Sequence, residues 1–147
     1  FDMTVQFYNR SPVANPGLPA EQVDLDTALT ADFVVIAVPG GPATRHLINT
    51  DKLAHMQPHA FLINIARGDI VDETALVRAL QDKTIAGAGL DVYEHEPKVA
   101  PALLAMENVT LLPHLGTAAL EIREAMGLMA VENLRAFFDG KPLPNLV

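Results

Sequence analysis

Largely apolar runs that alternate with helix-like segments constrain the fold of this chain more than any other feature of its sequence. The runs at residues 33–38, 61–66 and 85–92 are long enough to be strands, and turn-forming Pro, Gly or Asp residues lie near their ends. A strand that is apolar throughout is typical of a sheet with both faces covered, and alternation with helices predicts parallel pairing. We therefore predict an α/β fold, an incomplete doubly wound parallel sheet followed by a long C-terminal helix.

Local patterns predict where the other elements begin and end. Asp72 is a suitable N-cap for a helix that runs through Leu80, and Asn49 or Thr50 can cap a shorter helix that ends before Pro58. Further predicted elements are a strand at 3–8, a short helix at 21–29, a brief helix at 101–106, a strand at 109–112 and a long amphipathic helix at 118–138. Because ligands bind beyond the carboxyl ends of parallel strands, the residues that follow the strands are the candidates for chemistry.

Composition excludes several functional classes. With 18 acidic and 10 basic residues the net charge is -8, and no Lys/Arg cluster could follow a phosphate backbone, so nucleic acid is not an expected partner. No run of about 18 or more apolar residues is present, and no membrane span is expected. The absence of Cys excludes disulfides and favours a reducing cytoplasm. No metal site is predicted, because the histidines lack ligand spacing; His46, His55, His59 and His95 are interpreted as surface or helix-contact residues.

Ionisable residues follow three successive predicted strands and should meet at one edge of the sheet. Arg67 follows the second apolar run, Asp91 and Glu96 lie at and after the end of the third, and His114 follows the short strand after them. Arg can bind a planar carboxylate through two hydrogen bonds, and His can transfer a proton with help from an acid. Each residue alone has a plainer explanation, as a surface cation, a solvated acid or a turn histidine.

Four sequence blocks, in order and at matching spacing, resemble signature blocks of the D-isomer-specific 2-hydroxyacid dehydrogenases. They are TRHLIN at 44–49, INIARGDIVD at 63–72, GLDVYEHEP at 89–97 and LPHLG at 112–116. The resemblance implies a Rossmann-type fold, an NAD(P) cofactor and an active site in the cleft between two α/β domains. The chain departs from the family pattern at His59, where Gly is common, and after Gly116, where Ser-Ala-Thr is more common than Thr-Ala-Ala.

The resemblance also implies how the chain is organised. Residues 1–113 would form part of an NAD(P)-binding domain that lacks its first strand and glycine-rich phosphate loop. Residues 114–147 would form a long helix and tail that return towards the substrate domain. On this interpretation the chain is the C-terminal part of a longer enzyme. We expect it to be inactive alone, because half of its cleft is absent.

By the same resemblance, three side chains would carry the reaction. Arg67 would bind the substrate carboxylate and polarise the keto oxygen, His114 would protonate that oxygen, and Glu96 would hold the imidazole charged and oriented. A nearby carboxylate favours imidazolium, and fixed positive charge stabilises a developing alkoxide, so physical chemistry agrees with these roles. Asp91 would accept a hydrogen bond from the nicotinamide carboxamide. The full predicted cofactor-binding set is Asn9, Arg10, Ser11, Val38, Pro39, Thr44, Ile65, Ala66, Arg67, Asp91, His114 and Gly116.

The loop after the first predicted strand indicates which cofactor is preferred. Folds of this kind that prefer NAD usually place an acidic side chain there to bind the ribose hydroxyls, whereas a 2'-phosphate requires a cation and hydroxyls. Here the loop contains Asn9, Arg10 and Ser11 and no carboxylate. We therefore predict NADP(H) in preference to NAD(H). The alternative is that Arg10 is an exposed turn residue with no ligand.

The resulting functional hypothesis is hydride transfer between NADP(H) or NAD(H) and a small 2-oxo or 2-hydroxy acid, with glyoxylate or hydroxypyruvate as the expected substrate. Phosphoglycerate and lactate remain open, because the resemblance places substrate specificity largely in the other domain. A nucleotide-sensing interaction module, similar to family-related corepressors, is the alternative from another functional class. The family resemblance also implies a homodimer.

Overall fold

The computed structural model describes residues 2–146 and divides the chain into two compact units, Phe1–Pro113 and His114–Val147. The strands and helices are, in chain order, β1 (Gln6–Phe7), β2 (Glu21–Gln22), α1 (Leu25–Ala28), β3 (Phe33–Ile36), α2 (Thr50–Leu53), β4 (Phe61–Asn64), α3 (Glu73–Gln81), β5 (Gly87–Leu90), α4 (Pro101–Leu104), β6 (Val109–Leu111) and α5 (Leu120–Phe138). Among the described residues, no helix is both long and apolar enough to cross a membrane.

Two parallel sheets form the framework of the first unit. β1 pairs with β2 in a two-stranded sheet, and β3, β4, β5 and β6 form a four-stranded sheet in that order. Every strand pair is parallel, so the chain must cross over between consecutive strands of each sheet. The predicted fold class, α/β with a parallel sheet and a long C-terminal helix, is confirmed.

Helix α3 forms where the sequence pattern predicts it. The Asp72 carboxylate accepts a hydrogen bond from the backbone N–H of Ala75 at 3.0 Å, which caps the first turn. Leu76 and Leu80 are buried in the core together with Leu62 of β4. Each fully buried leucine contributes about 1.5–3 kcal/mol of hydrophobic stabilisation. The helix therefore packs on one face of the sheet through these buried leucines.

The predicted helix at 21–29 is wrong in its first part. Those residues form β2, because the N–H groups of Glu21 and Val23 donate to the carbonyls of Val5 and Phe7 at 3.1 and 2.9 Å. Pairing with a distant strand outweighs the weak local preference for helix. The helical part shrinks to the four residues of α1.

The prediction that both faces of the sheet are covered is wrong for the described residues. Phe33 and Val35 of β3 are 55% and 54% exposed, whereas Ile36 and Leu62 on the other face are buried. The Phe33 and Phe61 rings stack on each other with their centroids 5.8 Å apart. The core cluster contains residues of α2 and α3 but neither of these rings, so the helices of this unit pack on the Leu62 face.

A groove of about 520 Å³ is lined on one side by β1 and the residues that follow it, and on the other side by residues 33–38. Within the described residues, β1 pairs only with β2, and β3 pairs only with β4. Both sheets therefore present an edge strand with unpaired backbone groups to this groove.

The second unit consists mainly of α5. The helix is followed by Gly140, which has a φ of 66° and so takes the left-handed conformation common after a helix. The tail is tied back to the helix, because the side-chain amide of Asn133 donates to that of Asn145 at 2.9 Å. Large apolar side chains along the helix, from Leu120 to Phe138, are exposed.

Candidate active site

The carboxyl ends of β3, β4, β5 and β6 lie side by side along one edge of the four-stranded sheet. The parallel register places Ile36 opposite Asn64, Asn64 opposite Leu90, and Leu90 opposite Leu111. The segments that follow these residues leave the sheet at the same edge, where ligands bind in open parallel sheets. Arg67, Asp91, Glu96 and His114 were predicted from the sequence to lie at this edge.

A cleft of about 760 Å³ opens at this edge between the loops that follow β3 and β4. Its lining residues are Ala37, Val38, Pro39, Gly40, Gly41, Ile65, Ala66, Arg67 and Asp69. Five predicted site residues are therefore brought together here. A sixth, Thr44, supports the wall, because its hydroxyl donates to the carbonyl of Pro39 at 2.8 Å.

Asn64 holds the turn that carries Arg67. Its side-chain amide donates to the carbonyl of Arg67 at 2.9 Å and accepts from the N–H of Ala66 at 3.1 Å. Asn64 is only 1% exposed, so these two bonds satisfy a polar side chain that is otherwise surrounded by the core. This role of Asn64 was not predicted. The signal was a lone amide within an apolar strand, which requires hydrogen-bond partners.

Arg67 lies on the wall of the cleft with an exposed side chain. One guanidinium nitrogen, Nη1, donates to the carbonyl of Ala66 at 2.6 Å. The opposite loop packs closely on the Arg67 stem, since a Cβ added at Gly40 would lie 2.8 Å from its Cγ. The stem is therefore held between two loops, and the remaining guanidinium N–H groups are suited to bind a planar anion such as a carboxylate.

Asp91 and Glu96 lie at and after the end of β5. Asp91 is buried, with 8% of the residue exposed. Its backbone N–H donates to the carbonyl of Asn64 at 3.0 Å. The Glu96 carboxylate accepts from the backbone N–H of Tyr93 at 3.0 Å. Both acids are therefore held close to the carboxyl edge of the sheet by main-chain hydrogen bonds.

Tyr93 joins the loop after β5 to the segment after β6. Its hydroxyl donates to the carbonyl of Leu112 at 2.7 Å, and burial, together with the Asp91 carboxylate, raises the pKa of this phenol. Tyr93 therefore remains a donor at neutral pH. Gly68 packs directly on its backbone, because a Cβ at position 68 would lie 1.9 Å from the Tyr93 carbonyl carbon. No local sequence pattern indicates either contact.

A partly buried acid of the loop after β5, Glu94, contacts two other segments, residues 45–46 and the start of α3. Its carboxylate lies 2.7 Å from Nε2 of His46 and 3.7 Å from Nη2 of Arg45, and it accepts from the N–H of Glu73 at 3.2 Å. Burial raises the pKa of Glu94, but the bonds from His46 and Glu73 outweigh it and leave the pKa below its ordinary value. His46, interpreted from the sequence as a surface or helix-contact residue, keeps 34% of its side chain exposed and contacts this acid.

The loop residues predicted to select the cofactor are not among those that line the cleft. Asn9, Arg10 and Ser11 form an exposed loop after β1, where the Asn9 side chain donates to the carbonyl of Ser11 at 3.0 Å. His114 and Gly116 belong to the second unit, and His114 has a left-handed backbone with a φ of 55°. Among residues 2–146, no group of three or more His, Asp or Glu side chains has the arrangement of a metal site.

A family profile described as "D-isomer specific 2-hydroxyacid dehydrogenase, NAD binding domain" matches residues 1–116 of the chain. The chain is 45% identical over 150 residues to a glyoxylate reductase of Pyrococcus furiosus, an alignment that covers 100% of this chain and 45% of that protein. It is 49% identical over 130 residues to glyoxylate/hydroxypyruvate reductase B of Enterobacter agglomerans, with coverage of 87% and 40%.

The chain is also similar to the crystal structure of an NADPH-dependent glyoxylate/hydroxypyruvate reductase from Sinorhizobium meliloti, which was determined in complex with NADP and malonate. The TM-score is 0.93 at 40% sequence identity, and the match covers 99% of this chain and 46% of that one. The chain thus spans about half the length of the curated relatives that it matches.

Proposed function

Given that this chain belongs to the D-isomer-specific 2-hydroxyacid dehydrogenase family, we propose that it supplies the cofactor-binding part of an oxidoreductase for small 2-oxo and 2-hydroxy acids. Glyoxylate and hydroxypyruvate are the proposed substrates, with NADP(H) preferred to NAD(H). The observation that carries the proposal is the cleft at the carboxyl edge of the sheet, with Arg67 in its wall on a turn fixed by Asn64.

The cleft is suited to a nicotinamide nucleotide. Pockets for such ligands are largely apolar with a few placed polar groups, and Ile65, which is 58% exposed, offers an apolar surface for a planar ring. Backbone groups of Ile65 and Ala66 would lie beside that ring, and Asp91 would accept from its carboxamide. When bound, the cofactor supplies or accepts the hydride.

The side chains of this chain would hold the substrate and move its proton. Arg67 would bind the carboxylate of the 2-oxo acid and stabilise negative charge as it develops on the keto oxygen. His114 would give that oxygen its proton, and the Glu96 carboxylate would keep the imidazole in its charged form. In the reverse direction, His114 would accept the proton from the 2-hydroxyl group.

The groove between the two sheets is also part of the proposal. We propose that a further parallel strand, supplied by another segment of the enzyme, fills it and joins β1 to β3 in one sheet. The glycine-rich phosphate loop would follow that strand, and residues 114–147 would lead towards the substrate domain. The unpaired edges of β1 and β3 support this arrangement.

The central test measures NADPH oxidation by the full-length protein with glyoxylate or hydroxypyruvate. Arg67→Ala should lower kcat/KM roughly 100-fold or more, the size expected when one charged transition-state donor is removed. Arg78→Ala removes an arginine of α3 away from the cleft and is the matched control. Equal activity of the two variants would contradict the role of Arg67. Cofactor binding with no turnover of any 2-oxo acid would instead favour a nucleotide-sensing module.

The cofactor preference rests on Arg10. Between Asp2 and Glu21 the sequence contains no acidic residue, and among residues 2–146 no ion pair engages Arg10. Hydrogen bonds to charged groups contribute about 1.5–3 kcal/mol, so Arg10→Ala should raise the KM for NADPH by roughly tenfold or more and leave NADH nearly unchanged. Better turnover with NADH in the unchanged enzyme would contradict the preference.

Two further proposals concern the whole protein. We propose a homodimer, which light scattering of the full-length enzyme would test. We also propose a cytoplasmic location, which fractionation of the source cells would test. A monomer in the first measurement, or recovery with membranes in the second, would contradict the respective proposal.

A further inference from the structure

One side-chain amide organises the loop that contains Arg10. Gln22 lies in β2 directly beside Phe7, the last residue of β1, and so lies next to the point where the loop leaves the sheet. Its Nε2 donates to the carbonyls of Asn9 and Ser11 at 3.2 and 3.0 Å. Its Oε1 accepts from the N–H of Val13 at 2.8 Å. The Gln22 amide therefore donates two hydrogen bonds and accepts one, and its three partners are alternate residues of one loop.

These bonds fix the backbone on both sides of Arg10. The Asn9 and Ser11 carbonyls, one before and one after it, are held by a single nitrogen atom, and the Asn9 side chain adds a third bond within the turn. Pro12 further restricts Ser11 to extended conformations. A loop that is ordered before the ligand arrives loses less conformational entropy on binding than a mobile one.

We propose that Gln22 is a positioning residue for NADP(H): it holds Arg10 and Ser11 in the arrangement that receives the 2'-phosphate, without touching that phosphate itself. This inference rests on the proposed function and on its cofactor preference. Binding of the parts of the cofactor common to NADPH and NADH should not depend on Gln22, because among the described residues its side-chain amide hydrogen-bonds only to the loop after β1.

The chemistry of the amide explains why close substitutes are unsuitable. A Glu side chain has the same shape but no donor, so it would face the carbonyls of Asn9 and Ser11 with negative charge and would also repel a phosphate. A Leu side chain has a comparable size but makes no hydrogen bond at all. Gln22→Leu therefore isolates the loss of positioning, and Gln22→Glu adds an electrostatic penalty.

The test uses the full-length protein with two probes that differ in one group. The first probe, 2',5'-ADP, has the 2'-phosphate of NADP, and the second, 5'-AMP, lacks it. Dissociation constants are measured by calorimetry, and KM and kcat are measured with NADPH and NADH. Gln81→Leu makes the same chemical change at the end of α3 and is the matched control. Arg10→Ala is measured in parallel.

Gln22→Leu should weaken 2',5'-ADP roughly three- to tenfold, the range for loss of a few exposed hydrogen bonds, and leave 5'-AMP within about twofold. The KM for NADPH should rise by the same factor at unchanged kcat, whereas the KM for NADH should not change. Gln22→Glu should have the larger effect, and Gln81→Leu none.

Equal weakening of both probes by Gln22→Leu, or no weakening of either, would overturn the inference. If Arg10→Ala weakens 2',5'-ADP selectively and Gln22→Leu does not, the positioning role alone fails and the cofactor preference stands. If the unchanged protein binds both probes equally, the preference fails and the positioning role fails with it. Loss of all 2-oxo acid turnover with selective probe binding intact would count against the proposed reaction but not against Gln22.

Discussion

Replacing Asn64 with Ala tests whether the hydrogen bonds of this buried amide hold the turn that carries Arg67 in place. The substitution removes the donor to the Arg67 carbonyl at 2.9 Å and the acceptor for the Ala66 N–H at 3.1 Å. Two backbone groups at the carboxyl edge of the sheet then lose their partners. The turn should become less stable, and the guanidinium should no longer be held at one place in the cleft.

The expected magnitude follows from the two lost bonds. An intramolecular hydrogen bond contributes a net of about 0.5–1.5 kcal/mol, so the pair accounts for roughly 1–3 kcal/mol of the free energy of unfolding. Asn64 is 1% exposed, and water cannot readily replace the lost amide, so we expect a value of about 2 kcal/mol. Misplacement of a binding group by about 1 Å can cost up to roughly 100-fold in rate, and we expect kcat/KM for glyoxylate to fall at least about tenfold.

Urea unfolding and steady-state kinetics of the full-length enzyme would measure both effects. Asn108→Ala is a matched control, because Asn108 is exposed and its amide donates a single bond to the Ala86 carbonyl at 3.0 Å, near the start of β5. One exposed bond corresponds to about 0.5–1 kcal/mol, with no effect on turnover.

Two results would refute the reasoning about Asn64. The first is a loss of stability no greater than that of Asn108→Ala, which would mean that the buried bonds have no special weight. The second is a loss of about 2 kcal/mol with kcat/KM equal to that of the control, which would mean that the turn does not position Arg67.

Other substitutions test the packing of two glycines and the contacts of Glu94. Gly68→Ala would place a Cβ 1.9 Å from the backbone of Tyr93, so urea unfolding should show a loss of about 4 kcal/mol or more. Gly127→Ala in α5 meets no atom within 4 Å and should stabilise by about 0.5–1 kcal/mol; similar effects of the two changes would contradict this reasoning. Because the pKa of Glu94 lies below its ordinary value of 4.5, its contribution to stability is present above pH 4.5 and is lost as the pH falls through the lower folded value. The difference in unfolding free energy between the unchanged protein and Glu94→Gln should therefore shrink in acid, and a difference independent of pH would count against the contact with His46.

The parts of the fold and site that could be predicted are those set by short-range rules. Asp72 and the helical spacing of Leu76 and Leu80 are sufficient to place α3, and the structure confirms its cap and its buried face. The strand-end rule placed Arg67 at the carboxyl edge of the sheet, and the structure places it in the wall of the cleft there. The match over residues 1–116 confirms the family that the sequence blocks indicated.

The parts that could not be predicted depend on distant partners. Glu94 and His46 are 48 residues apart and belong to different segments, so no local pattern reveals their hydrogen bond. The pairing of β2 with β1 likewise joins residues 15 positions apart, and the local helical spacing of residues 21–29 does not reveal it. The exposure of the Phe33 and Phe61 rings was not predicted. An apolar run indicates that burial is favourable, but it does not show which element buries each face of the strand.

An open strand edge favours pairing between copies of a chain, and two such edges line the groove among the described residues. Residues 33–38 are Phe, Val, Val, Ile, Ala and Val, a segment without charge or proline. Such segments stack in register into cross-β fibrils when an edge is open to them. Material produced without a strand to occupy the groove should therefore bind thioflavin T on standing, and co-production with a strand-donating segment should keep it dispersed.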